Sequence, residues 1–305
     1  MKLFLILLQM AVLTVAKAET SGKQGLGLYS TSNANQTNDL SPDTFTQVSS
    51  RWSTEVGETP LLYGFSWLNY NKEKANNLLF LSLGAEFSSE NETKAKISYL
   101  PRIIHRNYVT GQAATSDSSF TNSSLGLDVE FSHEKTSRWQ NVYTVGDEVR
   151  HYPGLNRLDN EAHAIADFRF EATPRVQLFA TPGAGILISN SSEYSRLFYD
   201  LSFGSEFLLR ESLFLNLEMI QIQSIYFSRT ISQRTEITNR RGAIVGYSTA
   251  KELTGVSTLK ASVRYMVSEI LILQSGLSST SQSSNNPTND YRSAEIFVSL
   301  FLKAP

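Results

Sequence analysis

Between residues 197 and 209 the chain alternates. Leu197, Tyr199, Leu201, Phe203, Phe207 and Leu209 occupy odd positions, with Ser205 the one break, and Asp200, Ser202, Gly204 and Glu206 occupy even ones. Successive side chains of a β-strand point to opposite faces, so this pattern predicts a strand with one apolar and one polar face. The pattern recurs. Leu125, Leu127, Val129 and Phe131 oppose Asp128 and Glu130; Ala162, Ala164, Ala166, Phe168 and Phe170 oppose His163, Asp167, Arg169 and Glu171. Leu259, Ala261, Val263 and Tyr265 oppose Lys260, Ser262 and Arg264, and Leu79, Leu81, Leu83, Ala85 and Phe87 oppose Ser82, Gly84 and Glu86. A slip of one residue would exchange the faces completely, so each register is strongly specified.

The connections alternate as well. Long polar loops are expected near 35–43, 71–76, 107–118, 152–159, 189–195, 231–251 and 284–290. Tight turns are expected near Glu58-Thr59-Pro60, Glu90-Asn91-Glu92, Glu134-Lys135-Thr136, Thr173-Pro174, Arg210-Glu211 and Val267-Ser268. That rhythm predicts an all-β, antiparallel up-and-down barrel of about fourteen strands, with short turns at one end and longer loops at the other. Segments 61–70 and 138–151 are mixed on both faces, and if neither spanned alone the count would fall to twelve. Segment 213–228 carries its apolar residues first at Leu213, Leu215, Leu217 and Met219 and then at Ile220, Ile222 and Tyr226, which predicts a bulge near Met219.

The amino terminus adds a compartment. Lys2 precedes an apolar stretch from Leu3 to Val15, and Ala16-Lys17-Ala18 forms an A-x-A cleavage site. This is the pattern of a secretory signal over residues 1–18, too short for the roughly 20 residues of a spanning helix, and it leaves 19–305 as the barrel. Losing Lys2 and Lys17 takes the formal charge from −2 to about −4, and no basic run points to nucleic acid. With no cysteine, disulfides, thiol catalysis and cysteine-bound zinc are all excluded. An exported chain that enters a membrane without a spanning helix can do so only as a closed barrel, because lipid offers no partner to an open strand edge.

On these residues the chain resembles the single-chain outer-membrane barrels of Gram-negative bacteria as a class. The last strand, Ser293 to Leu302, adds to the resemblance through Phe297 and Phe301, although Leu302-Lys303-Ala304-Pro305 follow where such proteins usually end on an aromatic residue. The resemblance implies an outer-membrane location, contact with outer-membrane lipid, insertion by the barrel-assembly machinery, and a porin-like channel for passive diffusion of small hydrophilic solutes without a cofactor. A monomer is expected, since no long inward loop falls early in the chain.

The polar faces supply the candidate pore lining: Glu86, Asp128, Glu130, His163, Asp167, Arg169, Asp200, Glu206, Lys260 and Arg264. Both signs are present, which predicts a weak cation preference at most. Arg234, Arg240 and Arg241 lie in the long segment 231–251, a candidate constriction loop whose plainer reading is two strands extended past the membrane. His163, Asp167 and Glu171 share a face, but residues four apart in a strand are about 13 Å apart and do not share a metal unaided. Two other classes compete with the channel. A surface hydrolase would depend on His105 or His151, near the outer strand ends, with Asp147, Glu148, Ser116, Ser118 or Ser119 close by. A closed structural or adhesive barrel would use its outer loops alone.

Overall fold

The computed structural model describes residues 20–32, 42–56, 59–72, 77–88, 93–104, 120–136, 138–238, 244–285 and 290–304. The alternating segments form β1 (Thr20–Thr31), β2 (Asp43–Val56), β3 (Thr59–Tyr70), β4 (Leu78–Ser88), β5 (Thr93–Ile104), β6 (Phe120–Thr136) and β7 (Trp139–Tyr152). They continue as β8 (Arg157–Thr173), β9 (Val176–Ser189), β10 (Arg196–Arg210), β11 (Leu213–Thr238), β12 (Ile244–Met266), β13 (Leu271–Ser284) and β14 (Tyr291–Ala304). Each strand pairs with the next, and β1 pairs antiparallel with β14 from Gly22↔Ala304 to Thr31↔Glu295, so the sheet closes into a barrel of fourteen strands. The two mixed segments are β3 and β7, each paired along its length, which removes the twelve-strand alternative.

At the end carrying both termini, turns at 174–175, 211–212 and 267–270 join β8 to β9, β10 to β11 and β12 to β13. Several expected boundaries move. Thr59 and Pro60 already belong to β3, and Glu134, Lys135 and Thr136 finish β6. At the opposite end the expected loop 152–159 shrinks to 153–156, because Arg157, Leu158 and Asp159 begin β8. A one-turn 3-10 helix, Pro153–Leu155, fills that gap and Asn156 ends it at φ 48°, a left-handed conformation that asparagine accepts more readily than most residues. A second one-turn helix, Ser192–Tyr194, lies between β9 and β10. Most of the expected long segment 231–251 belongs to β11 and β12, which pair as far as Ile237↔Gly246 and Thr238↔Ile244. Residues 107–118, expected as a loop, and Glu90-Asn91-Glu92, expected as a turn, lie outside the described residues.

Apolar side chains cover the outward face. Leu26, Leu28, Leu83, Leu125, Leu259, Leu277 and Ile296 are each exposed by half or more, as they must be where no protein layer covers them. Buried apolar side chains are few among the described residues, and Phe45, Tyr152, Leu187 and Tyr226 all lie toward the end opposite the termini. One sequence expectation, the bulge near Met219, is corrected here. β11 pairs with β10 and β12 without interruption through Met219, and its irregularities against β12 begin only between Ile225 and Thr230, so Ile220 and Ile222 share the inward face with Glu218. In β14 the outward positions are Ile296, Val298, Leu300 and Leu302, which turns Phe297 and Phe301 inward.

Candidate functional site: the barrel interior

The inward face is polar, and many of its charges are paired, some across the sheet and some along one strand. Glu206 on β10 and Arg264 on β12 reach across β11 to 3.0 Å, and Lys260 lies 3.6 Å from Glu218, whose carboxylate also accepts a hydrogen bond from Ser202 at 2.8 Å. Asp167 accepts from Arg169 at 2.9 Å and from Thr181 at 3.2 Å, while Lys94 lies 3.5 Å from Glu86. Arg150 donates twice to Glu148, at 2.9 and 2.8 Å, and lies 3.0 Å from Glu161. His163 on β8 meets Asp128 on β6 at 3.3 Å, directly over Gly146 of the intervening strand. A Cβ at Gly146 would collide with both partners, so the missing side chain is what lets the pair meet. Asp200 packs in the same way over Gly183.

All ten candidate lining residues therefore project inward, Glu130 in register with Lys94 and Thr144. Of the three constriction candidates, Arg234 lies in the extended part of β11, and Arg240 and Arg241 lie outside the described residues.

Near the end opposite the termini, inward side chains interlock. The Arg157 guanidinium is sandwiched between the rings of Tyr152 at 3.8 Å and Tyr194 at 4.0 Å, and pairs with Asp159 at 3.2 Å. Arg229 continues the stack, 5.6 Å from Tyr194 and 4.1 Å from Tyr226, and Arg196 donates to the Tyr226 hydroxyl at 3.1 Å. Arg229 also lies 3.7 Å from Glu252 on β12. A cation over an aromatic face gains most when both are desolvated, and Arg157 and Tyr152 are 1% and 7% exposed. Across the barrel Tyr70, Phe45, Tyr29 and Phe297 form a second stack, with successive centroids 4.6, 4.6 and 5.5 Å apart, which bridges the seam between β1 and β14. The sequence reading missed the first group because Tyr152, Arg157, Asp159 and Tyr194 lie where loops were expected.

Between these walls the interior holds a cavity of about 780 Å³ bordered by residues of β1 to β8, β13 and β14, among them Lys23, Arg51, Lys96, Asp128, Glu148, His163 and Lys303. A recess of about 270 Å³ opens against β1, β2, β4 and β14, lined by Lys23, Tyr29, Arg51, Phe80, Ser299 and Phe301.

The histidines do not assemble a hydrolytic site among the described residues. His151 is on the outward face, and Glu148, beside it in sequence, faces inward and is held by Arg150. His105, Ser116, Ser118 and Ser119 lie outside the described residues. Among the described residues no group of three or more His, Asp or Glu side chains is placed to hold a metal ion.

A closed, fourteen-stranded antiparallel barrel with an apolar exterior and a charged interior is the architecture of porin-like outer-membrane β-barrel proteins. The solved structures agree. The chain is similar to a bacterial polysaccharide outer membrane secretin (TM-score 0.53, 11% identity, 92% of this chain and 97% of that one). It is also similar to the outer membrane channel DcaP of Acinetobacter baumannii (TM-score 0.52, 10% identity, 94% and 97%). The anion-selective porin from Comamonas acidovorans gives a TM-score of 0.51 at 5% identity, over 94% and 99%. At such identities the likeness is one of fold. No protein-family model matches the chain, and no curated protein does.

Proposed function

We infer that this protein is an outer-membrane channel through which small hydrophilic solutes diffuse passively. The observation that carries the reading is the cavity of about 780 Å³ bordered by charged side chains from β1, β2, β5 to β8 and β14. A barrel of this strand number is wider than the eight-stranded kind whose interior side chains can fill. The inward ion pairs tie charged side chains to one another along the barrel wall. The similarity to known channels and porins supports the reading at the level of fold.

Residues 1–18 then serve as an export signal, the outward leucines contact outer-membrane lipid, and the barrel-assembly machinery inserts the chain. The protein acts as a monomer. Glu86, Asp128, Glu130, His163, Asp167, Arg169, Asp200, Glu206, Lys260 and Arg264 line the path and shape its ion preference. No cofactor and no covalent step is involved.

Single-channel recording of the refolded protein in a planar bilayer tests this. Current steps of uniform size are expected, and charge reversal at Asp128, Glu206, Lys260 or Arg264 should shift the reversal potential in a salt gradient. A silent bilayer, from protein whose heat-modifiable gel mobility shows a folded barrel, would overturn the channel reading.

A further inference from the structure

Lys23 on β1 stands in register with Lys303 of β14 on one side and with Arg51 of β2 on the other. Three cations thus lie side by side across three adjacent strands, all inward and all bordering the main cavity. Like charges directly opposite one another destabilise a sheet. Elsewhere on this wall the sheet brings opposite charges together, in pairs such as Glu206 with Arg264 and Glu218 with Lys260. Among the described residues none of Lys23, Arg51 and Lys303 has a carboxylate within ion-pair distance. A sheet that pairs its charges elsewhere and breaks the rule here leaves positive potential for something that arrives from solution.

The neighbourhood says what would fit. The recess of about 270 Å³ beside the row is shared by Lys23 and Arg51 and is walled by the rings of Phe80, Tyr29 and Phe301. The Lys23 ammonium sits 4.1 Å from the centre of the Phe301 ring. Gly25 and Gly64, next to Lys23 along β1 and opposite Arg51 on β3, keep the wall flat, and Ser49, Ser66, Ser82 and Ser299 present hydroxyls around it. Cations at one edge, aromatic rings behind and hydroxyls around suit a small ligand with an anionic head and a compact, partly apolar body.

We propose that Lys23, Arg51 and Lys303 form a binding subsite for small organic carboxylates on the lumen wall. The carboxylate accepts charge-assisted hydrogen bonds from Arg51 and Lys23, and its body enters the recess over Phe301 and Phe80. Access to the site from solution rests on the channel reading. The residual positive charge makes this a local anion site in a lumen whose ion preference the sequence reading set as weakly cationic.

Benzoate is the probe, with inorganic phosphate as the comparison. In planar bilayers benzoate should reduce single-channel current saturably in potassium chloride, and phosphate, lacking a body to fill the recess, should act far more weakly. Lys23→Gln combined with Arg51→Gln, which removes both charge-assisted donors, should raise the half-blocking benzoate concentration by about tenfold or more, with conductance steps still present. Arg51→Lys, which keeps the charge, should restore much of the effect. A conducting barrel that benzoate does not block, or blocks equally in the double variant, overturns the subsite and leaves the channel standing. Equal block by phosphate overturns the carboxylate assignment. Calorimetric titration of benzoate into the refolded barrel in detergent runs in parallel. If the barrel proves silent, saturable binding that the double variant loses supports the subsite, and no binding overturns it.

Discussion

Arg157 and Asp159 are the most deeply buried charges of the described chain, 1% and 2% exposed, and two tyrosine rings cover the guanidinium. Removing one member of such a pair strands the other in a medium that solvates it poorly. Asp159→Asn should therefore cost about 3–5 kcal/mol, read as a lower midpoint in denaturant unfolding of the refolded barrel. Replacing both, Arg157→Met with Asp159→Leu, should cost much less; an equal loss would show that the rings and not the charge pair hold this end. How far single residues were legible follows from their place in the pattern. Asp128 and Arg264 alternate with leucine, valine and tyrosine, and Glu206 precedes Phe207 in an alternating run, so their inward direction follows from chain geometry alone. Arg157 was hidden because a proline and a glycine just before it read as loop. Gly146 was hidden for another reason: alternation treats glycine as a blank, and its role lies in what Asp128 and His163 do above it. Lys303 was missed because the last strand was expected to end at Leu302, just before it, and nothing local to Lys23 or Lys303 shows that they are neighbours.

At the scale of elements, β11 shows where the sequence misleads. Its apolar residues change parity at Met219, which alone argues for a bulge, yet the pairing runs straight through and turns Ile220 and Ile222 inward. The tertiary register, set by unbroken partners in β10 and β12, overrides the local pattern. With no cysteine in the chain, site-directed labelling reads this without background. In liposomes Ile220→Cys should react with a water-soluble maleimide and Met219→Cys should not; the reverse order would place the bulge where the alternation put it. β3 and β7 carry the opposite lesson. Both are mixed in sequence and both span, because ladder hydrogen bonds to two neighbours do not depend on which side chains decorate the faces. The extension of β11 and β12 past Ile225 and Leu253 was foreshadowed by the plainer of the two readings of segment 231–251. Its charges and glycine made it resemble a loop, whereas its pairing is backbone to backbone.

For the whole molecule, strand number, antiparallel order and the position of both termini at one end were legible, since an even up-and-down count fixes them together. Closure was legible too, because lipid accepts no open strand edge, but the register of the seam was not, because it joins the two most distant strands of the barrel. Its strength is visible in Tyr29, which stacks on Phe45 and Phe297 and shares a hydrogen bond with Ser299 across 270 positions of sequence. Deleting residues 293–304 removes most of β14 and leaves β1 and β13 with open edges that neither lipid nor water-filled lumen can satisfy together. The truncated chain should lose the heat-modifiable gel shift of a folded barrel and aggregate; a compact, heat-modifiable band would show that thirteen strands close on their own. The seam also sets a calendar. Because the first strand's second neighbour is the last one made, no ordered intermediate along the way has two satisfied edges, and the loop to be closed is nearly as long as the chain itself. Such a protein cannot be built as it is synthesised. Its early strands must wait, unpaired and in need of custody, until the final dozen residues arrive to end the search.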